Sequence, residues 1–569
     1  MGAVSRPPPV RAPRSRYVLF SLLAGAALLG SISLHWRATT IHSSSTDLNF
    51  TNKNITALCP LVESISPGKT SPALDNALAE LRTPSYNRRS ADLLGAAVRL
   101  HTDITDSPGA IDEDPVWRKM GNFTRWLSQA FPLLHDAPLR LEHINSHGLL
   151  YTWPGTNHTS KPIVLTGHYD TVPVAPETIT RWTHPPFSGH LDANNYLWGR
   201  GASDDKSRVI AILQAVEQLL KAGFRPHRTI ILAFGFDEEI GGTRGAQSLA
   251  RTLHARYGDN GIALLADEGS SALHRFGRTF MAISTSEPGI INQRITVRVP
   301  GGHSALPPPH TGIGIMADLV RDIERHPYTI RLAESSPLRT FLGCAAAHAP
   351  GFPAHLKRLV ESGDDQRLAE AVSESSEVFA AQVRTTIAVT RIDGGVKVNA
   401  LPESVVAYAN HRVRMGSSSA EVKEGTARLA AAVAQRYGLK LLAYPEHTMG
   451  EGPGEREYPQ SSITLELVEV REPAPVTDVR SQAYKLVAGT TRAVLGDGFV
   501  VSPTVNFGNT DTFWYWRVTN HIFRYTPLPE AGENIHTVDE RISMTAYAVL
   551  VEWFFVFIRN ADEADLQYE

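Results

Sequence analysis

The chain has 569 residues, long enough for more than one domain, and 42% hydrophobic with 20% charged residues is an ordinary soluble composition. Its 55 basic and 58 acidic residues leave a formal charge of −3, which argues against a nucleic-acid binder working by bulk charge. Two cysteines, Cys59 and Cys344, are too few for a cysteine zinc cluster and leave open a pairing in an oxidising lumen.

The N-terminus departs from that average. Residues 17–34 form an uncharged, mostly apolar run of about the minimum length for a membrane helix, preceded by Arg6, Arg11, Arg14 and Arg16 and followed by Trp36. Arginines on that side stay in the cytosol, which predicts a tail over 1–16, an anchor over 17–36 and a lumenal remainder: a single-pass type II protein of the secretory route. A signal peptide cut near Ser31 or Ser33 is the alternative, giving a secreted chain. N-glycosylation sequons at Asn49, Asn54, Asn122 and Asn157 agree with a lumenal topology. Residues 37–71, rich in Ser, Thr and Asn with little periodicity, read as a stalk.

Residues 72–82, 86–100 and 115–131 predict helices that cover a sheet. His101, just after the second, lies far ahead of the polar cluster that follows and reads as a surface or core residue. The first strand, 162–166 (PIVLT), is a short apolar run that suits burial on both faces, and it ends in Gly167-His168-Tyr169-Asp170. His168 and Asp170 are two apart and project to one side of an extended backbone. A loop over 182–201 carries His184 and His190, read as neighbours of the pocket. A glycine-rich turn (GRGASDDK) then leads into a buried helix over 209–220, with Asp204 expected at the helix start. A second strand, 229–236, delivers Asp237-Glu238-Glu239 and Gly241-Gly242. After a helix over 244–257, a third strand, 262–266, ends in Asp267-Glu268-Gly269.

In an open α/β sheet, ligands bind outside the carboxyl ends of the strands, where all these polar groups fall. A two-metal hydrolytic site needs a bridging carboxylate, imidazole and carboxylate ligands on each ion, and one more carboxylate as base. His168, Asp204 and the Glu238-Glu239 pair offer ligand, bridge and base.

The period then changes. Residues 292–300 alternate apolar and polar, the mark of a half-buried antiparallel strand, followed by Gly301-Gly302-His303-Ser304 and a proline-rich loop. A helix over 313–325, a less regular helical region over 356–382, alternating strands over 385–392 and 404–414, and a helix over 420–437 read as an inserted α+β domain. A helix over 481–494 and a strand near 499–502 precede NFGNTD (506–511) and ENIHTVDE (533–540).

GHYDTVPV, WGRGASDDK and FDEEIGG resemble the three signature blocks of the dizinc aminoacylase and carboxypeptidase family, most closely its fungal Gly-X carboxypeptidase (carboxypeptidase S) branch, and the likeness runs from about Pro72 to the C-terminus. It implies an α/β fold: a zinc-peptidase catalytic domain with a mostly parallel sheet, in two parts (72–289 and 473–569), and an α+β lid over 290–472. It implies two zinc ions per subunit, held by His168, Asp204 as bridge, Glu239, Asp267 and His536, with Glu238 as general base and Asp170 orienting His168. His168 shares its ion with Glu239 and His536 with Asp267, or His168 with Asp267 and His536 with Glu239. By the same resemblance His303 serves the oxyanion, and Asn399 and Arg412 hold the substrate's amide and carboxylate, although Arg414 lies two residues away on the same face. Gly508 and Thr510 match a loop at the substrate's carboxylate end. The implied activity is hydrolysis of the C-terminal bond of short Gly-X peptides; hydrolysis or formation of N-acyl amino acids is the alternative. A homodimer and a vacuolar destination are further implications. A non-catalytic anchored binding module would require a missing ligand or base, and none is missing.

Overall fold

The computed structural model describes residues 59, 61–136, 138–445 and 459–566. The expected tail, the anchor over 17–36, most of the stalk and the sequons at Asn49 and Asn54 lie outside the described residues.

Three apolar runs predicted as strands form adjacent parallel strands, Ile163–His168, Ile230–Gly235 and Leu264–Ser270. They are the middle of a nine-stranded sheet. Its order is Arg140–Ile144, Gly148–Trp153, Ile230–Gly235, Ile163–His168, Leu264–Ser270, Ile522–Tyr525, Arg278–Ser286 and Val500–Val505, with Ala272–Arg275 paired to Arg278–Ser286. The expectation of a mostly parallel sheet is therefore corrected to a mixed one. Gly148–Trp153 runs antiparallel to both its neighbours, and Arg278–Ser286 is antiparallel to Ile522–Tyr525 and Ala272–Arg275. Antiparallel neighbours need only short turns or distant returns, so no crossover helix announces them in the sequence.

Helices cover the sheet. Pro72–Leu81 and Pro84–Arg99 each start on a proline after a hydroxyl N-cap, Ser71 accepting from the Leu74 N–H and Thr83 from the Tyr86 N–H. Lys206–Lys221 is buried along almost its whole length and packs against Met544–Glu563, which also meets Gln482–Leu495. Within Met544–Glu563, Trp553 stacks on Phe557 with ring centroids 4.6 Å apart, and each such large apolar side chain contributes roughly 1.5–3 kcal/mol by leaving water. Among the described residues this is the one helix long and apolar enough to cross a membrane, but most of it is buried in the core.

The end of the expected stalk is instead part of the folded body. Cys59 is bonded to Cys344, a buried residue of the Pro337–His348 helix. Beyond it the chain lies as an extended strap: Ile65 N–H donates to Gly489 O at 3.0 Å, Asn560 Nδ2 donates to Ile65 O at 2.7 Å, and Arg559 Nη2 donates to Lys69 O at 2.9 Å. Residues far along the chain supply these partners, so local composition could not show them.

The alternating strands predicted after 290 form a second sheet, ordered Thr386–Gly394, Ser404–Val413, Gly289–Arg298, Ser462–Arg471 and Lys440–Ala443. One face sends Ile295, Val297, Val405, Ala407 and Ala409 into a core with the Gly312–Arg325 and Ser419–Tyr437 helices. The other face is polar, with Arg294 paired to Glu466 and Asn292 bonded to Glu469 and Asn410.

Candidate metal centre

The parallel strands of the central sheet end side by side, and this alignment assembles the site. His168 closes Ile163–His168, and its Nε2 lies 3.1 Å from Asp204 Oδ1 and 3.3 Å from Glu268 Oε1. His536 approaches from the other side, its Nε2 3.0 Å from Asp204 Oδ2 and 3.1 Å from Glu239 Oε2. One carboxylate thus faces two imidazoles with separate oxygens. The groups His168–Asp204–Glu268 and Asp204–Glu239–His536 each bring their ligand atoms within 4.8 Å of one another. Of the two pairings left open by the sequence, this one joins His536 to Glu239.

Asp170 organises the strand ends. His168 Nδ1 lies 3.2 Å from the Asp170 carbonyl and 3.3 Å from its Oδ1, while the Asp170 carboxylate accepts the Glu238 and Glu239 N–H groups at 3.2 and 3.1 Å. A single buried side chain therefore orients one imidazole and both glutamates. Asp237 folds the turn after them, accepting from the Arg244 and Gly245 N–H groups, each at 2.7 Å. Among the described residues the Glu238 side chain makes no hydrogen bond to the metal-facing groups, and burial pushes its carboxyl well above the usual range.

Several placements differ from the sequence reading. Asp204 does not cap the following helix; the helix starts at Lys206 after Asp205, and the Asp204 carboxylate turns to the imidazoles. Lys206 is buried, its Nζ donating to Ala97 O at 3.0 Å and Leu100 O at 2.6 Å, where it closes the C-terminus of the Pro84–Arg99 helix. Asp267, expected as a ligand, accepts from Thr166 Oγ1 through its Oδ1 at 2.6 Å, and keeps Oδ2 buried with no hydrogen-bond partner among the described residues. Glu268 faces His168 instead. The register against Ile522–Tyr525 shifts there, leaving Glu268 and Gly269 unpaired across the sheet, and such a bulge re-aims a side chain.

The remaining expected residues form separate groups. Arg412 Nη1 donates to Asn509 Oδ1, and Asn509 Nδ2 donates to Pro288 O at 2.7 Å. Arg412 and Arg414 both line a cavity of about 70 Å³ with Phe507, Asn506, Thr386 and Pro288; Arg414 spends one donor on Met415 O at 2.9 Å. Gly508 stands in open space beside it, whereas the Thr510 hydroxyl is committed to the buried Glu287 carboxylate at 3.1 Å, in a network with Thr512 and Arg524. His303 and Asn399 are exposed at the paired segments Gly302–His303 and Ala400–Leu401, in neither metal-facing group. Around them Leu306, Val396 and Val398 are 85%, 101% and 100% exposed. His101 packs at a tilt against Phe187 and His184 stacks on His190, both pairs outside the centre.

The sequence pattern of the peptidase family M20/M25/M40 matches residues 164–560. The chain belongs to that family. Carboxypeptidase S of Saccharomyces cerevisiae is 34% identical, over 89% of this chain and 89% of the yeast protein. The N-fatty-acyl-amino acid synthase/hydrolase of Bos taurus is 32% identical, over 78% of this chain and 83% of the bovine one. Human carnosine dipeptidase 1 shares the M20 fold with a TM-score of 0.60 at 13% identity, across 87% of this chain and 100% of that one. The chain is a metallopeptidase hydrolase of mixed α/β architecture.

Proposed function

We propose that this M20 protein is a dizinc carboxypeptidase that removes the C-terminal residue of short peptides, of Gly-X type. The observation that carries the reading is the Asp204 carboxylate held between the imidazoles of His168 and His536, each imidazole also facing a glutamate. The donor set, imidazole nitrogen with carboxylate oxygen, fits two borderline divalent ions. His168, Asp204 and Glu268 would hold one ion, and Asp204, Glu239 and His536 the other, with Glu268 in the place expected for Asp267. Bound zinc would supply an acidified water and polarise the scissile carbonyl.

This chain's own residues do the rest. Glu238 takes the proton of the attacking water and returns it to the leaving nitrogen. Asp170 holds Glu238 and His168 in mutual register through the backbone and ring contacts above. Arg412, beside Gly508, binds the substrate carboxylate with its paired N–H groups. We assign residues 290–472 as the lid and His303 and Asn399 as its contribution to the oxyanion and the amide. Because both are exposed among fully exposed apolar side chains, they complete the site only on closure or in a homodimer.

A second reading, hydrolysis or synthesis of N-acyl amino acids, is favoured by the similarity to the bovine enzyme. Purified protein assayed on paired Gly-X dipeptides and N-acyl amino acids separates the two: preference for the dipeptides is expected, and turnover of N-acyl amino acids alone would overturn the first reading. We further propose the type II topology, supported by a Cys59–Cys344 bond that suits an oxidising compartment and by exposure of the Asn122 sequon. Glycosidase sensitivity of the newly made chain is expected; an unglycosylated chain would reject it.

A further inference from the structure

Asp204 and His536 sit on loops distant in the chain, and contacts within the protein itself tie those loops together. The strand Tyr196–Trp198, just before the Asp204 loop, pairs antiparallel with Arg541–Ser543, just after the His536 loop. At this junction lies Glu540, completely buried. Its Oε2 accepts from Arg200 Nη1 at 2.6 Å, and its Oε1 accepts the N–H groups of Ser203 at 3.0 Å and Asp204 at 3.2 Å. Its carbonyl accepts the Gly199 N–H at 2.8 Å. Arg200, also buried, spans back to the other loop, Nη2 donating to Thr537 O at 3.4 Å, one residue after His536. Neither Glu540 nor Arg200 belongs to the metal-facing groups.

We propose that Glu540 is a positioning residue that, with Arg200, locks the Asp204 loop to the His536 loop and so sets the affinity of the centre for its second metal ion. The proposal rests on the two-metal reading above. The two halves of the centre are unequally supported. His168 is buried in a strand, with Asp170 on its ring and Asp205 Oδ2 accepting its N–H at 3.4 Å. His536 has φ of +61° on a loop and its side chain is 50% exposed. A swing of Asp204 after loss of its N–H bond to Glu540 would draw an oxygen from both halves, but the first would keep buried His168 with Glu268, whereas the second would keep Glu239 and a half-exposed His536 on a loop freed from its tie. A buried ion pair is poor as a general stabiliser, because desolvation offsets its Coulomb gain. What this pair achieves that an apolar pair would not is specific tethering: Glu540 accepts N–H groups of the Asp204 loop and Arg200 donates to the Thr537 carbonyl of the His536 loop.

The test is metal titration of the full chain, stripped by chelation, with Zn2+ against a competing indicator and with Co2+ followed by absorption. Glu540→Gln keeps the side chain's size but cannot accept from Arg200 and from both N–H groups together. Its weaker metal Kd should rise by about 10- to 100-fold while the tighter one moves by no more than about threefold, the usual range for groups behind metal ligands. The kcat should fall and return with excess metal, with KM unchanged. Arg200→Lys, which keeps the charge but cannot span both loops, should weaken the same ion by a smaller factor, and it decides the matter if Glu540→Gln does not fold. Unchanged Kd values in a folded variant, or an equal rise in both accompanying a lower apo-protein Tm, would overturn the positioning role. A wild-type chain that binds fewer than two ions would instead overturn the two-metal reading.

Discussion

Removing the bond between Cys59 and Cys344 tests how the strap holds the fold. The two residues are 285 positions apart, with Cα atoms 4.7 Å from each other. In the chain-entropy account, closing a loop of that length removes unfolded-state freedom corresponding to about 5–6 kcal/mol at 25 °C. The strap keeps other anchors on Gly489, Asn560 and Arg559, so the native state of Cys59→Ala/Cys344→Ala should stay docked and the cost should fall on the unfolded side. Alanine is the suitable replacement because Cys344 lies in an apolar cluster with Leu338, Phe341 and Leu342. With an unfolding entropy of ~2.1 cal/mol/K per residue, a chain of this size loses roughly 5 °C of Tm. The assay is thermal unfolding of both proteins without reductant, together with thiol titration in denaturant. The wild type should release no thiol until reduced, and reduction should bring its Tm to that of the variant. Two free thiols in the untreated chain, or a double variant with unchanged Tm, would refute the reasoning.

Glu238→Gln should keep its metal content while turnover falls roughly 10²–10⁴-fold, since the amide cannot take the proton of the attacking water; near wild-type turnover would remove Glu238 from the role of base. Metal analysis of Glu268→Gln and Asp267→Asn separates the neighbouring acids: ion loss is expected in the first and retention in the second, and the reverse would restore Asp267 as ligand. In the metal-free protein, hydrogen bonds to Asp204 and then Glu239 raise the His536 imidazole to about 10 from its ordinary 6.5. A raised folded-state pKa means that protonated His536 stabilises the apo protein fully below about pH 6.5, and that this is lost as pH rises through about 10. Zinc must displace that proton, so calorimetry near neutral pH in buffers of different ionisation enthalpy should show net proton release; heats independent of buffer would contradict the arrangement.

The sequence by itself determined the parts of the fold and site whose signal is local. A short apolar run such as IVLT is long enough only for a buried strand, and its terminal His168 and Asp170 lie two residues apart, so their common side follows from backbone geometry. The helices predicted over 72–82, 313–325 and 420–437 occur as Pro72–Leu81, Gly312–Arg325 and Ser419–Tyr437, within a residue or so. Only tertiary structure decided which strands pair. The Gly148–Trp153 and Arg278–Ser286 partners, which make the sheet mixed, are chosen by long-range hydrogen bonds that no window of sequence contains. It also decided which of two adjacent acids turns toward His168, because the bulge at Glu268 and Gly269 arises from a register shift against a strand from the far end of the chain. The strap at Cys59 and the Glu540 clasp have the same origin. In each, a residue whose role no local pattern shows acquires it from a partner hundreds of positions away, through contacts that exist only once the chain has folded.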